Sequence, residues 1–308
     1  MLDEWRQARD GAQMASQSSH TPEQLVADLV LLLDLEPKGG DRFIGRRRPD
    51  GTGRVFGGQA IAQALVAARR TVDDAREVHS LHAYFLRAGS DDLPIEYRVK
   101  RDLDGRSFSN RRVVASQEGK PILNLTASFQ VPVDGPEHQA PQMPDVPGPD
   151  ELVSDAVLHR KSVETMPDSP LKRVIQRASP IDFRSVEPRD WFDPQERDPI
   201  SHVWFRTVSS LPSDPSVHRA MLAYISDYQL LGTALQPHGV SMLDNTIKGA
   251  SLDHALWFHD SFRTDEWLLY VTESPWSGHA RGFGRGQIFS RDGRLVASVS
   301  QEGMLRHT

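Results

Sequence analysis

From Ala220 to Pro237 apolar side chains recur on nearly every side of a helical projection: Met221, Leu222, Tyr224, Ile225, Leu230, Leu231 and Leu235. The pattern predicts one largely buried helix over 217–235. A single carboxylate, Asp227, lies inside it. An unpaired buried carboxylate is costly, and it shifts its pKa or acquires donors. Two explanations are open from the pattern alone: an Asp satisfied by nearby backbone, and an Asp kept for chemistry.

The rest of the chain alternates between helix-like and strand-like periods. Thr21-Pro22-Glu23-Gln24 combines an N-cap, a proline at the first helical position and a glutamine that completes a capping box. It predicts a helix running to about Leu35, then a short strand over 42–47. Val55-Phe56-Gly57-Gly58-Gln59 leads into an Ala-rich helix from Ala60 to Ala68. The period then changes to two, predicting strands over 78–86, 94–101, 107–117 and 121–131, with a tight hairpin at Gly119-Lys120. A helix followed by an antiparallel meander is an α+β pattern.

Prolines at 132, 136, 141, 144, 147 and 149 interrupt the chain after Val131. The expected organisation is a flexible tail over 1–19, an N-terminal unit over 20–132, a linker over 133–178 with one short helix, and a C-terminal unit over 179–308. The second unit repeats the plan. Strands are expected over 181–186 and 201–208, then the apolar helix, then strands over 249–259, 267–273, 281–290 and 294–305, with Asp292-Gly293 as a hairpin turn. Short echoes support a duplication: Ser80-Leu81 matches Ser251-Leu252, and Gln130 and Gln301 each follow those serines by 50 residues. Gly58-Gln59 holds the place of Ser226-Asp227. The layout is a double hotdog, two long helices each wrapped by an antiparallel sheet, the halves joined into one extended sheet so that the shared edges are covered.

Composition narrows the chemistry. Hydrophobic residues make up 38% of 308 and charged residues 25%, enough for a sizeable core. A net charge of -6 provides no general attraction to nucleic acid or anionic membrane. There is no cysteine, which excludes disulfides, thiolate nucleophiles and Cys-based metal sites. The first 19 residues hold no apolar run of the secretory kind, and the apolar stretch from Val26 to Leu35 is too short to span a bilayer. A soluble, cytoplasmic protein is expected.

Several segments taken together resemble one family. In the first half they are Val55-Phe56-Gly57-Gly58-Gln59-Ala60, His79-Ser80-Leu81-His82-Ala83-Tyr84-Phe85 and Asp104-Gly105-Arg106-Ser107-Phe108. In the second they are Ser226-Asp227, Ala234-Leu235-Gln236-Pro237-His238-Gly239, Ser251-Leu252-Asp253-His254, Trp257-Phe258-His259, Ala280-Arg281-Gly282-Phe283 and Gln301-Glu302-Gly303. The chain resembles the acyl-CoA thioesterase II (TesB-type) family over about 22–306. That resemblance implies two fused hotdogs that hydrolyse fatty acyl-CoA to free acid and CoA, without a cofactor or metal. It implies a water-activating trio at Asp227, Ser251 and Gln301. A homo-oligomer, dimer or tetramer, is also expected, because exposed hotdog sheet faces commonly pair.

The residue types suit that chemistry. No Gly-x-Ser-x-Gly elbow and no cysteine is present, which argues against a conventional Ser or Cys nucleophile and suits direct attack by water. Asp227 supplies a base, Ser251 a hydroxyl, and Gln301 an amide that stays neutral at any pH. In its strand Gln301 alternates with Leu295, Ala297 and Val299, so it points to an apolar face and needs partners.

Other residues carry competing readings. Gly58 and Gln59 either bring backbone close to substrate or let a helix pack on a sheet. Arg281 and Arg285 either reach CoA phosphates or stay solvated. Asp253 and His259, six apart, would carry the chemistry of an enoyl-CoA hydratase on a similar fold. His254 and His259, five apart on a strand, face opposite sides, which favours packed polar groups over a metal site. A non-catalytic acyl-CoA-binding protein is the third class.

Overall fold

The structure is a computed structural model that describes residues 20–48, 53–243 and 246–308. The expected tail over 1–19 lies outside the described residues.

Helix α1 (Pro22–Leu33) opens on the expected capping box: Gln24 N donates to Thr21 Oγ1 at 3.3 Å, and Thr21 N donates to Gln24 Oε1 at 2.9 Å. It stops earlier than expected because Asp34 is extended and leads into β1 (Leu35–Gly39). That strand was not legible in the apolar pattern. It pairs with β2 (Arg42–Gly45). Helix α2 (Gly57–Arg69) follows, then β3 (Glu77–Phe85), β4 (Ile95–Asp104), β5 (Phe108–Gln117) and β6 (Lys120–Gln130). The β5–β6 turn centres on Glu118-Gly119, one residue before the expected position. Both residues have positive φ, 48° and 75°, as a two-residue turn of the right twist requires.

The first half is not a simple meander. Strands β4, β5 and β6 follow one another, but β3 sits on the far side of β6. Pairing partners follow from tertiary packing, which the order of strands along the chain does not specify.

Residues 131–148 hold no helix or strand, and two short helices, α3 (Asp155–Ser162) and α4 (Pro170–Gln176), stand where one was expected. This segment is docked rather than free. Met143, Val146 and Leu152 pack against the cluster of Trp204, Trp267, Leu269 and Phe289, and Trp204 Nε1 donates to Pro147 O at 3.0 Å.

The second half contains β7 (Ile181–Ser185), β8 (Ile200–Thr207), β9 (Ile247–Ser251), β10 (Asp253–Phe258), β11 (Leu268–Gly278), β12 (Arg281–Ser290) and β13 (Leu295–His307). The single strand expected over 249–259 is two, interrupted at Leu252. Its carbonyl accepts from Phe85 N and its N–H donates to Glu302 O. The order β11-β12-β13-β10 mirrors β4-β5-β6-β3. The halves meet where β3 pairs antiparallel with β10, Leu81 opposite Leu256, giving one continuous 13-stranded sheet. The fold is the double hotdog.

The apolar helix is broken. It forms α5 (Pro215–Ile225) and α6 (Leu230–Leu235), with a turn over Ser226–Gln229 in which Gln229 has φ 76°. Asp227 therefore lies in the turn, not on a helix face. Helix α6 lies across β11–β13 as α2 lies across β4–β6, and α2 packs on α5. Asp227 thus stands just before one central helix, and Gly57 opens the other. Among the described residues, no helix is long and apolar enough to cross a membrane.

Candidate active site

Three separate elements bring side chains to the break between α5 and α6. Gln301 is on the inward face of β13 and is 2% exposed. Ser251 ends β9, paired with Gly303 of β13. Asp227 is half-buried in the turn. Gln301 Nε2 donates to Asp227 Oδ1 at 2.8 Å and to Ser251 Oγ at 2.5 Å. The structure brings the three expected residues together.

A fourth contact crosses from the other half. Gly58 N, at the uncapped start of α2, donates to Asp227 Oδ2 at 2.8 Å. A helix N-terminus favours an anion here, through its free N–H groups and its dipole. The glycines make room for the contact. A Cβ at Gly57 would lie 2.6 Å from Asp227 Oδ2, and one at Gly58 would lie 2.3 Å from Tyr224 O. At Gly58 the close neighbours are Tyr224 O and the Phe56 ring, and its N–H reaches the carboxylate.

The surroundings explain the electrostatics. Phe56 packs on Tyr224 and Tyr228, with ring centroids 5.1 and 4.7 Å apart, and Phe183 lies 5.2 Å from Tyr228. Burial raises the Asp227 pKa to about 6, against the opposing donors Gln301, Gly58 and Ser251. A carboxylate titrating there is ionised near neutral pH and still basic enough to take a proton.

The other candidates do not join this group in the same way. Gln59 is 4% exposed and reaches Arg46 O with Nε2 at 3.3 Å. Arg281 donates through Nε to Glu302 Oε1 at 2.8 Å and lies 5.8 Å over the Trp276 ring. Arg285 pairs with Glu273. Asp253 Oδ1 accepts from Glu302 N at 2.7 Å, whereas His259 Nε2 lies 2.8 Å from Ser298 Oγ beyond the other end of β10. The pair a hydratase would need is separated by the length of a strand. His254 is fully buried, with Nε2 2.8 Å from Ser226 Oγ. The turn that carries Asp227 was missed by the periodicity, although the polar Ser226-Asp227 pair and Gly232 are signals against an unbroken helix.

Comparisons with known proteins agree on one family. The acyl-CoA thioesterase profile matches residues 176–304, and the acyl-CoA thioesterase N-terminal domain profile matches residues 46–130. The chain is 39% identical over 307 residues to human acyl-coenzyme A thioesterase 8, covering 97% of this chain and 96% of that protein. It is similar to the crystal structure of acyl-CoA thioesterase II TesB2 from Mycobacterium marinum, with a TM-score of 0.73, 38% identity, and coverage of 91% and 98%. A hot dog fold protein of unknown function from Alicyclobacillus acidocaldarius shares the fold alone, at a TM-score of 0.71 and 18% identity, over 94% and 100% of the two chains. This chain belongs to the acyl-CoA thioesterase family.

Proposed function

We propose that the protein hydrolyses fatty acyl-CoA, with Asp227 as general base and Ser251 and Gln301 holding the attacking water. The observation that carries this is the buried carboxylate with a pKa near 6, bonded to Gln301, which also binds the Ser251 hydroxyl. Water attacks the thioester carbonyl carbon while Asp227 takes its proton. The tetrahedral intermediate collapses, the C–S bond breaks, and the CoA thiolate takes up a proton as the carboxyl gives it back. A thiol with a pKa of about 8.5 is a good leaving group, so no strong opposing acid is needed. Ser251 Oγ accepts from Gln301 and shares its own proton with the Asp227 carboxylate, so a water bound beside the carboxylate meets the same hydroxyl.

The same reading divides the chain into hotdog units over 20–132 and 179–308 with a linker over 133–178. The C-terminal unit supplies all three side chains, and the N-terminal unit supplies the Gly58 N–H. Gln59 braces the start of α2. For Arg281 to hold a CoA phosphate it would have to leave Glu302. A dimer or tetramer is proposed to form through the outer sheet face, where Tyr84 is 60% exposed.

Thiol release from a series of saturated acyl-CoAs tests the activity. Free CoA from a saturated substrate supports hydrolysis and excludes a hydratase, which needs an enoyl group. No turnover of any chain length would favour a binding protein and overturn the reading.

A further inference from the structure

Ser226, next to Asp227, is fully buried, and so is His254 on β10. The His254 ring contacts Ser226 Oγ through Nε2 at 2.8 Å and lies beside Gln301. Each of these neighbouring residues also has a buried atom that makes no hydrogen bond: Nδ1 of His254 and Oε1 of Gln301. An unpaired buried donor or acceptor is costly, so two of them on neighbouring residues call for a cause.

Their chemistry is complementary in only one arrangement. A carboxylate accepts and cannot donate, so Gln301 must turn its NH2 to Asp227, with Ser251 Oγ on the same nitrogen. The amide oxygen then faces away and needs a donor. His254 provides one if its proton is on Nδ1, leaving Nε2 to accept from Ser226. The Ser226 hydroxyl is placed to donate to Ala223 O at 3.1 Å and lies 2.8 Å from His254 Nε2; the proposed arrangement requires its proton to turn to His254. Burial pushes the imidazole down to about 4, against the effect of Gln301, so the ring is neutral near neutral pH and carries one proton.

We propose that His254 is a positioning residue, which holds the Gln301 amide with its NH2 toward Asp227 and Ser251. The inference rests on the reading of Asp227 as the base. Without the Nδ1 donor the amide is free to flip, placing its oxygen against the carboxylate. That removes a donor from the charged form and raises the Asp227 pKa further. The remaining groups around the carboxylate do not titrate in this range. Gly58 from α2 and Ser251 from β9 are neutral, and the phenols of Tyr228 in the same turn and Tyr270 from β11 are raised well above their usual range. Arg48 lies near Tyr228.

The test compares His254→Leu, His254→Asn and His254→Gln in the full chain, with kcat, KM and the melting temperature measured over about pH 5 to 9. His254→Leu is expected to lower kcat about tenfold or more, leave KM within about twofold, and shift the acid limb of kcat/KM upward by about half a unit or more. His254→Asn, whose amide nitrogen stands near the Nδ1 position, is expected to restore most of kcat and the limb. His254→Gln, whose amide reaches the Nε2 position, is not. If the Leu variant fails to fold, the Asn–Gln contrast decides. An unmoved acid limb, or equal losses in Asn and Gln, overturns the proposal. Asp227→Asn measured alongside separates the two layers. An active Asp227→Asn sinks the base assignment and this inference with it. An inactive one beside an unaltered His254→Leu profile sinks the inference alone.

Discussion

The backbone N–H of Gly58, in the N-terminal half, donates to Oδ2 of Asp227, in the C-terminal half, at 2.8 Å across 169 residues of chain. The carboxylate is therefore held by both halves, although its side-chain partners all come from one. Two central helices begin close to the same point, and the glycines of one make space for the carboxylate before the other.

Adding a methyl group there should separate position from fold. Gly57→Ala places a Cβ 2.6 Å from Asp227 Oδ2 and 2.9 Å from the Phe85 ring, so the carboxylate must move. Its expected effect is a fall in kcat of about tenfold or more with a modest loss of stability. Gly58→Ala meets the backbone oxygen of Tyr224 at 2.3 Å, which cannot yield cheaply. Thermal unfolding of the two variants should show the larger loss at Gly58. The reverse order would mean that the contact matters only for packing.

The pH dependence follows from the sign of the shift. Burial raises the Asp227 pKa to about 6, and a base works only when ionised. kcat/KM should be flat above that value and fall about tenfold per unit below it. A limb near pH 4, where an unperturbed aspartate titrates, would show that the carboxylate is more solvated than the packing around it implies.

Ser251→Ala and Gln301→Ala should each lower kcat. Combined with Asp227→Asn, they should add little to its effect, because groups that position one water act as a unit. Steady-state rates of the single and triple variants check this. Multiplying losses would point to separate structural roles.

Gln59→Ala should leave kcat largely intact. The Gln59 side chain reaches Arg46 O and makes no hydrogen bond to Asp227, so stability or KM is expected to change first. A kcat loss on the scale of Asp227→Asn would place Gln59 inside the catalytic centre.

Much of this arrangement was legible in the sequence, for physical reasons that differ by residue. Gln301 was visible because a strand has a period of two, and an amide on the apolar side needs partners. His254 and His259 separated as an odd spacing requires. The break at Ser226–Gln229 was hidden because apolar residues flank it on both sides, and a hydrophobic pattern continues across a turn that is buried. The interruption at Leu252 was hidden for the same reason: both pieces are strands, and only the contacts with Glu302 and Phe85 divide them. The place of β3 beyond β6 depends on pairing at long range, which no local pattern encodes. At Gly58 packing and polar contact coincide: the missing Cβ lets Tyr224 O approach, and the N–H reaches the carboxylate.

The central claim is that Asp227 is the base, and thiol release by Asp227→Asn tests it most directly. The substitution changes volume hardly at all but removes the proton acceptor. With melting temperature confirming a folded variant, kcat at saturating acyl-CoA should fall by about 100-fold or more. Near-normal thiol release from the folded variant would contradict the account.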